Sequence, residues 1–194
     1  MKNRGFTLIE ILVSVAIFAT VMVIALGALL ALSEANRRAQ AINSAVNNLS
    51  AAFDSMSRTI RTGQTYACVG GSGGTSPDCT ATPGYGFTFT AFGGDTVTYC
   101  LSNGAAASCG SATTCAVGSR CSILRQINSG NYLPMTSPEI AITQLSFYLI
   151  GSPITGNSVQ PKVTILASGV VSSSGTASTT FNLETSVTQR LYDQ

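Results

Sequence analysis

From Phe6 to Leu32 the chain is apolar apart from one carboxylate, Glu10, and a few small polar side chains. About 20 helical residues cross a bilayer core, so this run predicts a transmembrane helix. Beyond Leu32 the apolar positions thin to a single stripe. Ala35, Ala39, Ile42, Val46, Leu49, Phe53, Met56 and Ile60 recur at alternating steps of four and three, with polar residues between them, which predicts that the helix continues and turns amphipathic. No proline interrupts it, Glu34 and Arg38 stand at i,i+4, and Arg61-Thr62-Gly63 has the cation-then-glycine form of a helix end. From Phe6 to Arg61 such a helix is roughly 80 Å long at 1.5 Å per residue. Spacing near 3.5 also fits a coiled coil; the alanines and Phe53 suit packing on a sheet at least as well.

After Gly63 the period changes. Residues 63–84 are rich in Gly, Ser, Thr and Pro around Cys68 and Cys79 and are expected to form a disulfide-held loop. Phe87–Phe92 and Thr96–Leu101 alternate apolar with polar residues around Gly93-Gly94-Asp95, a β-hairpin signature. Ser102–Arg120 is a second small-residue loop, and Cys121–Ile127 is expected to return as a strand. Three more strands are expected over Ile140–Leu149, Val159–Leu166 and Thr179–Leu191, with turns at Gly151–Gly156 and Ser172–Gly175. A long helix followed by hairpin-connected strands gives an α+β class with an antiparallel sheet.

Composition narrows the function. The 194 residues carry a formal charge of +2, and Lys2 and Arg4 supply both units; of ten basic side chains eight remain without them, against eight acidic. Beyond Gly63 only Arg120, Arg125, Lys162 and Arg190 are basic, against Asp78, Asp95, Glu139, Glu184 and Asp193. A nucleic-acid surface needs a basic footprint, so no nucleic-acid partner is expected. There is no histidine, no Gly-Lys-Ser/Thr phosphate loop and no nucleophile elbow, and Glu139 and Glu184 are far apart in sequence. An enzyme is not expected, nor any cofactor.

Six cysteines, Cys68, Cys79, Cys100, Cys109, Cys115 and Cys121, lie beyond the apolar helix. An even number outside the cytoplasm predicts a disulfide framework. Zinc is the competing reading, but no Cys pair has two to four residues between its members and histidine is missing, so no metal is expected. Six cysteines allow fifteen pairings. Local loop closure and the stapling of neighbouring strands favour Cys68–Cys79, Cys100–Cys121 and Cys109–Cys115.

Glu10 remains to be explained. A carboxylate at membrane depth costs several kcal/mol unless it is protonated or partnered. Lys2 and Arg4 hold the first residues inside by the positive-inside bias, delivering everything after Leu32 to the outer side. With the first five residues set aside, no Lys or Arg lies within a turn or two of Glu10; a free α-amino group is the natural partner if the chain is cut before Phe6. A secretory signal peptide also begins with basic residues, and Ser33-Glu34-Ala35 has the small residues of a cleavage site. Its apolar region, however, is only about 7–15 residues long. An ordinary signal anchor tolerates the length but has no use for Glu10.

Gly5-Phe6-Thr7-Leu8-Ile9-Glu10, after a short basic leader and before an unbroken apolar helix, resembles the class III signal of type IV pilins and type II secretion pseudopilins. The resemblance implies that a membrane-embedded prepilin peptidase cuts between Gly5 and Phe6, that Phe6 becomes the N-methylated first residue, and that Glu10 is the acid of the filament core. It implies the pilin fold, with 1–5 a cleaved leader, 6–62 the long helix (6–32 in the membrane or filament core, 33–62 amphipathic) and 63–194 a disulfide-stapled β-domain.

The expected function is that of a structural subunit, major or minor, of a type IV pilus. The alternatives are a type II secretion pseudopilin, or an adhesin-like ectodomain whose disulfide-closed loops bind a ligand while the filament carries it. Those loops lack the aromatic and arginine enrichment of a binding hot spot. Expected partners are other pilin subunits, the prepilin peptidase and the assembly machinery of the inner membrane. The expected location is a single-pass inner-membrane protein with its N-terminus inside, and afterwards an extracellular or periplasmic filament. Ile123–Gln126 and Thr185–Arg190 are similar to minor pilins and pseudopilins of the J and W kinds, over short pieces that leave the cysteine loops unaccounted for. Gly27 sits where many pilins carry a helix-breaking proline. It permits either local melting or close helix–helix approach in lipid.

Overall fold

A computed structural model describes residues 5–71, 77–104, 108–152, 159–172 and 178–190. The fold is α+β: among the described residues one helix, α1 (Leu8–Arg61), is followed by nine strands in two antiparallel sheets. The chain divides into two compact units, residues 1–40 and 41–194.

In the first unit every described residue is exposed. Among the large apolar side chains from Leu8 to Leu32, Met22 is the least exposed and still shows 47% of its surface. The helix is held by its own backbone ladder, and the hydroxyls of Ser14 and Thr20 donate to the carbonyls of Ile11 and Ile17 at 2.9 and 2.8 Å. They are thereby satisfied within the helix.

The second unit begins with the rest of α1, which buries Ala45, Leu49, Ala52, Phe53, Met56 and Ile60. The expected stripe holds from Leu49 to Ile60 but fails earlier: Ala35 and Ala39 are exposed, and Ala45 is buried where Val46, 54% exposed, was expected. A helix without supercoiling turns 3.6 residues at a time, so a strict 3.5-residue stripe drifts off the buried face and the contact slips by one position. The i,i+4 ion pair of α1 is Asp54–Arg58, at 2.9 Å, rather than the expected Glu34–Arg38.

One sheet has the order β1 (Gln64–Val69), β3 (Gly86–Thr90), β4 (Thr96–Leu101), β5 (Ile123–Ile127), β6 (Leu133–Pro134). The other has the order β2 (Cys79–Gly84), β7 (Ile140–Ile150), β8 (Lys162–Ser172), β9 (Ser178–Thr188). The hairpin expected around Gly93-Gly94-Asp95 is β3–β4, in register from Gly86↔Cys100 to Thr90↔Thr96. Residues 63–84, expected as a loop, contribute two strands instead. Tyr66 is buried and its ring stacks on Phe87 and Phe89, which draws β1 onto β3, while Cys79 is buried beside Phe147 on β7. β8 starts at Lys162 rather than Val159, because Pro161 has no amide to give a ladder. Leu191 and most of the two expected turns, 153–156 and 173–175, lie outside the described residues.

The expected pairing Cys68–Cys79 is present, but the other two bridges are Cys100–Cys109 and Cys115–Cys121. Strand register excludes Cys100–Cys121: the β4–β5 ladder sets Cys100 opposite Leu124 and ends at Leu101↔Ile123, leaving Cys121 outside it. Cys121 instead bridges to Ile142, and the Cys115 amide donates to the Thr143 carbonyl, so both cysteines lie along the start of β7. Cys109 is held to β4 by the Ser102↔Cys109 bridge.

The core joins both sheets. Phe87 stacks on Phe89 at 5.4 Å and on Phe147 of the second sheet at 5.8 Å. At the end of α1, the orphan carbonyls left by any helix terminus are taken up in three ways. The Tyr66 hydroxyl lies 2.7 and 2.6 Å from the carbonyls of Ile60 and Gly63, the Arg190 amide donates to the Arg61 carbonyl at 2.8 Å, and the Gln189 side-chain amide donates to Gly63. Gly63 is required here, since a Cβ would come within 2.4 Å of the Phe89 ring.

Burial raises the phenol pKa of Tyr66 well above the usual value near 10, and raises that of Tyr99 as well. For Tyr99 the neighbouring Thr59 hydroxyl and Arg125 guanidinium only partly oppose the burial. The folded state thus keeps both phenols protonated where the unfolded chain has begun to lose its protons. Their contribution is complete below about pH 10 and is lost as pH rises through the raised folded-state values. Denaturant unfolding of the detergent-solubilised chain from pH 8 to 11.5 should therefore show stability falling above about pH 10. The Tyr66→Phe variant should show a shallower fall; an equal slope would remove Tyr66 as a source.

Candidate functional site

The residues singled out at the start of the chain lie where the helix begins. Lys2 and Arg4 are outside the described residues. Gly5, Phe6 and Thr7 precede α1 in extended or irregular backbone; Phe6 is 79% exposed, and no atom lies within 4 Å of where a Gly5 side chain would begin. This segment is open on all sides, as a peptide must be to enter another protein's active site.

Helix formation is nucleated at Thr7, whose carbonyl accepts from the amides of Glu10 and Ile11 at 3.1 and 3.3 Å. Thr7-Leu8-Ile9-Glu10 has the Thr-x-x-Glu form of a capping box. The sequence signal was available, and it gives Glu10 a local reason to exist that its membrane depth alone does not suggest. A carboxylate in the first turn also meets the positive end of the helix dipole. Both effects are worth only about 1 kcal/mol, less than the several kcal/mol that a charge costs at membrane depth. Capping therefore does not account for Glu10. Its side chain is exposed, and among the described residues the ion pair is Asp54–Arg58, so no cation among those residues neutralises it.

Downstream of Glu10 the helix is long and apolar enough to cross a membrane, and none of its most apolar stretch is buried in the protein. Residues 1–32 match the family model for the prokaryotic N-terminal methylation motif. The chain carries the N-terminal signal found in precursors of type IV pilins and pseudopilins. The motif implies processing by a prepilin peptidase and assembly into filaments, and motif and helix together fit anchoring in the inner membrane before assembly. No curated protein and no solved structure gives a significant match to the chain.

The six cysteines all lie in the second unit and are all paired, and they brace its β-structure. The loop from Cys109 to Cys121 is docked on β7 through Thr114↔Gln144 and Cys121↔Ile142, with Val117 fully exposed at its tip. A Cβ at Gly27 would meet open space, so nothing in the single chain requires glycine there.

Proposed function

We propose that this chain is a structural subunit, major or minor, of a type IV pilus or pilus-like filament. Residues 1–5 form the leader. The peptidase hydrolyses the Gly5–Phe6 bond, leaving a carboxylate on Gly5 and an amine on Phe6, and methylation keeps that nitrogen basic and therefore cationic. Before assembly the subunit spans the inner membrane once, with its N-terminus inside. In the filament the Phe6 amine of one subunit pairs with the Glu10 carboxylate of another, in surroundings of low dielectric where the attraction is strong and a lone charge is costly. The pair acts as a register device, because only one stagger between subunits satisfies Glu10.

The observation that carries this reading is one carboxylate, with no cation beside it among the described residues, in the first turn of an exposed apolar helical segment that bears the methylation motif. The motif favours a structural subunit over an enzyme. Intact and peptide mass spectrometry of the membrane-extracted, non-reduced protein, from hosts with and without the peptidase, tests it. The expected product begins at methylated Phe6 and lacks six hydrogens, with the precursor accumulating when the peptidase is absent. A chain beginning near Ala35 would mean an ordinary secreted domain, and one retaining Met1 in both hosts a simple anchor; either removes the assembly role of Glu10.

A further inference from the structure

Within the second unit, α1 and the edge strand β9 do not close against each other. Between them runs a cleft of about 140 Å³, enough for one large apolar side chain, since cavities of roughly 150 Å³ take up benzene. Its floor is apolar and buried: Ala45 and Leu49 from the helix, Ile140 from β7, Val171 from β8. Its walls stand partly in solvent, with Val46 54% exposed on one side and Phe181 and Leu183 half-buried on the other. Among the described residues no charged side chain lines it. Ala45, a short buried side chain, lies at the floor of the cleft, and the larger, exposed Val46 stands at its rim.

We propose that this cleft receives the apolar helix of a second copy of the chain, at the end of its membrane segment between about Val21 and Leu32. The inference rests on the filament reading and names the surface of the ectodomain that the filament uses. Three observations select the occupant. The cleft carries no charge to recognise an ionic ligand. It lies between a helix and the terminal strand of a sheet and has room for one apolar side chain, which a helix laid against its mouth would supply. The chain also carries a rod that is exposed throughout and, from Val21 to Leu32, apolar on every side, and this rod needs a new cover once it leaves lipid. Groove and helix are different patches of one molecule, so their contact is heterologous and propagates into an open filament rather than closing as a dimer. The end of the segment nearest Leu32 is the occupant because it reaches an ectodomain outside the membrane with the least withdrawal from lipid.

All six native cysteines are paired, so introduced thiols report cleanly. The test co-expresses two differently tagged full-length copies, one carrying Val46→Cys and the other carrying Cys in turn at Leu26, Leu29 and Leu30. A disulfide joining the two tags in sheared filaments, at one or two of the three positions and absent without the peptidase, is expected. Val46→Asp and Leu183→Asp, each in the full chain, should lower filament yield at least tenfold while processing and the three disulfides stay intact. Val46 is already exposed, so its variant does not threaten the fold. Filaments of parental yield from both variants would overturn the proposal and leave the filament reading standing, as would a Val46→Cys cross-link to a different protein. A parental chain that forms no filament under any condition would overturn both.

Discussion

Glu10→Gln is expected to leave processing and membrane insertion unchanged while filament yield falls about a hundredfold or more. Glutamine has nearly the shape of glutamate and serves equally well as the fourth residue of a Thr-x-x-Glu/Gln capping box, so the start of the helix at Thr7 survives. Only the charge goes. If Glu10 served the helix terminus, the substitution would cost less than about 1 kcal/mol and filaments would form nearly as before. If it neutralises the Phe6 amine of a neighbouring subunit, the variant leaves that cation buried and alone. The penalty is then about 3–5 kcal/mol at each contact, and every factor of ten in an equilibrium corresponds to about 1.4 kcal/mol. Filament mass in a shear fraction, normalised to methylated subunit in the membrane, reads the difference. A yield within threefold of the parent would return Glu10 to a capping role.

Phe87→Ala should cause the largest loss of stability in the ectodomain. Phe87 is fully buried on β3, between β1 and β4, and its ring stacks on Tyr66, Phe89 and Phe147. It is thus where the five-stranded and four-stranded sheets meet. Truncation removes an aromatic ring and leaves a cavity that three other rings cannot fill without losing their own contacts, at a cost of about 3–5 kcal/mol. Domains are stable by only about 5–15 kcal/mol, so the midpoint of thermal unfolding should drop by about 10 °C or more for a unit of this size. Near-ultraviolet dichroism of the non-reduced chain in detergent follows it, because the ring cluster dominates that signal. Phe87→Leu, which fills much of the same volume, should recover most of the loss. A shift under about 3 °C for the alanine variant would show that the two sheets hold together elsewhere.

Much of the molecule is written in short-range patterns. The unbroken apolar run from Phe6 to Leu32, with Glu10 near its start, made both the membrane helix and the processing motif legible, and residues 1–32 are where the family model matches. Period-two alternation marked β3, β4, β7, β8 and β9, and Gly93-Gly94-Asp95 marked the turn between the first two. In each case the signal and its structural consequence lie within a few residues of each other, so composition and spacing are enough.

The tertiary structure decided the rest. Cys100 pairs with Cys109 rather than Cys121 because the β4–β5 register gives the position opposite Cys100 to Leu124, and register is a relation between segments some twenty residues apart. β1 and β2 lie in a stretch that reads as loop, and they are strands because Tyr66 and Cys79 find partners on β3 and β7. Ala45 rather than Val46 meets the core because a repeat of about 3.6 residues per turn carries a 3.5-residue stripe off the buried face, which the stripe alone could not tell from a coiled coil. Local periodicity determines which elements form. Which residues of those elements meet depends on how distant faces fit, and that one-residue slip sets Ala45 rather than Val46 at the floor of the cleft beside β9.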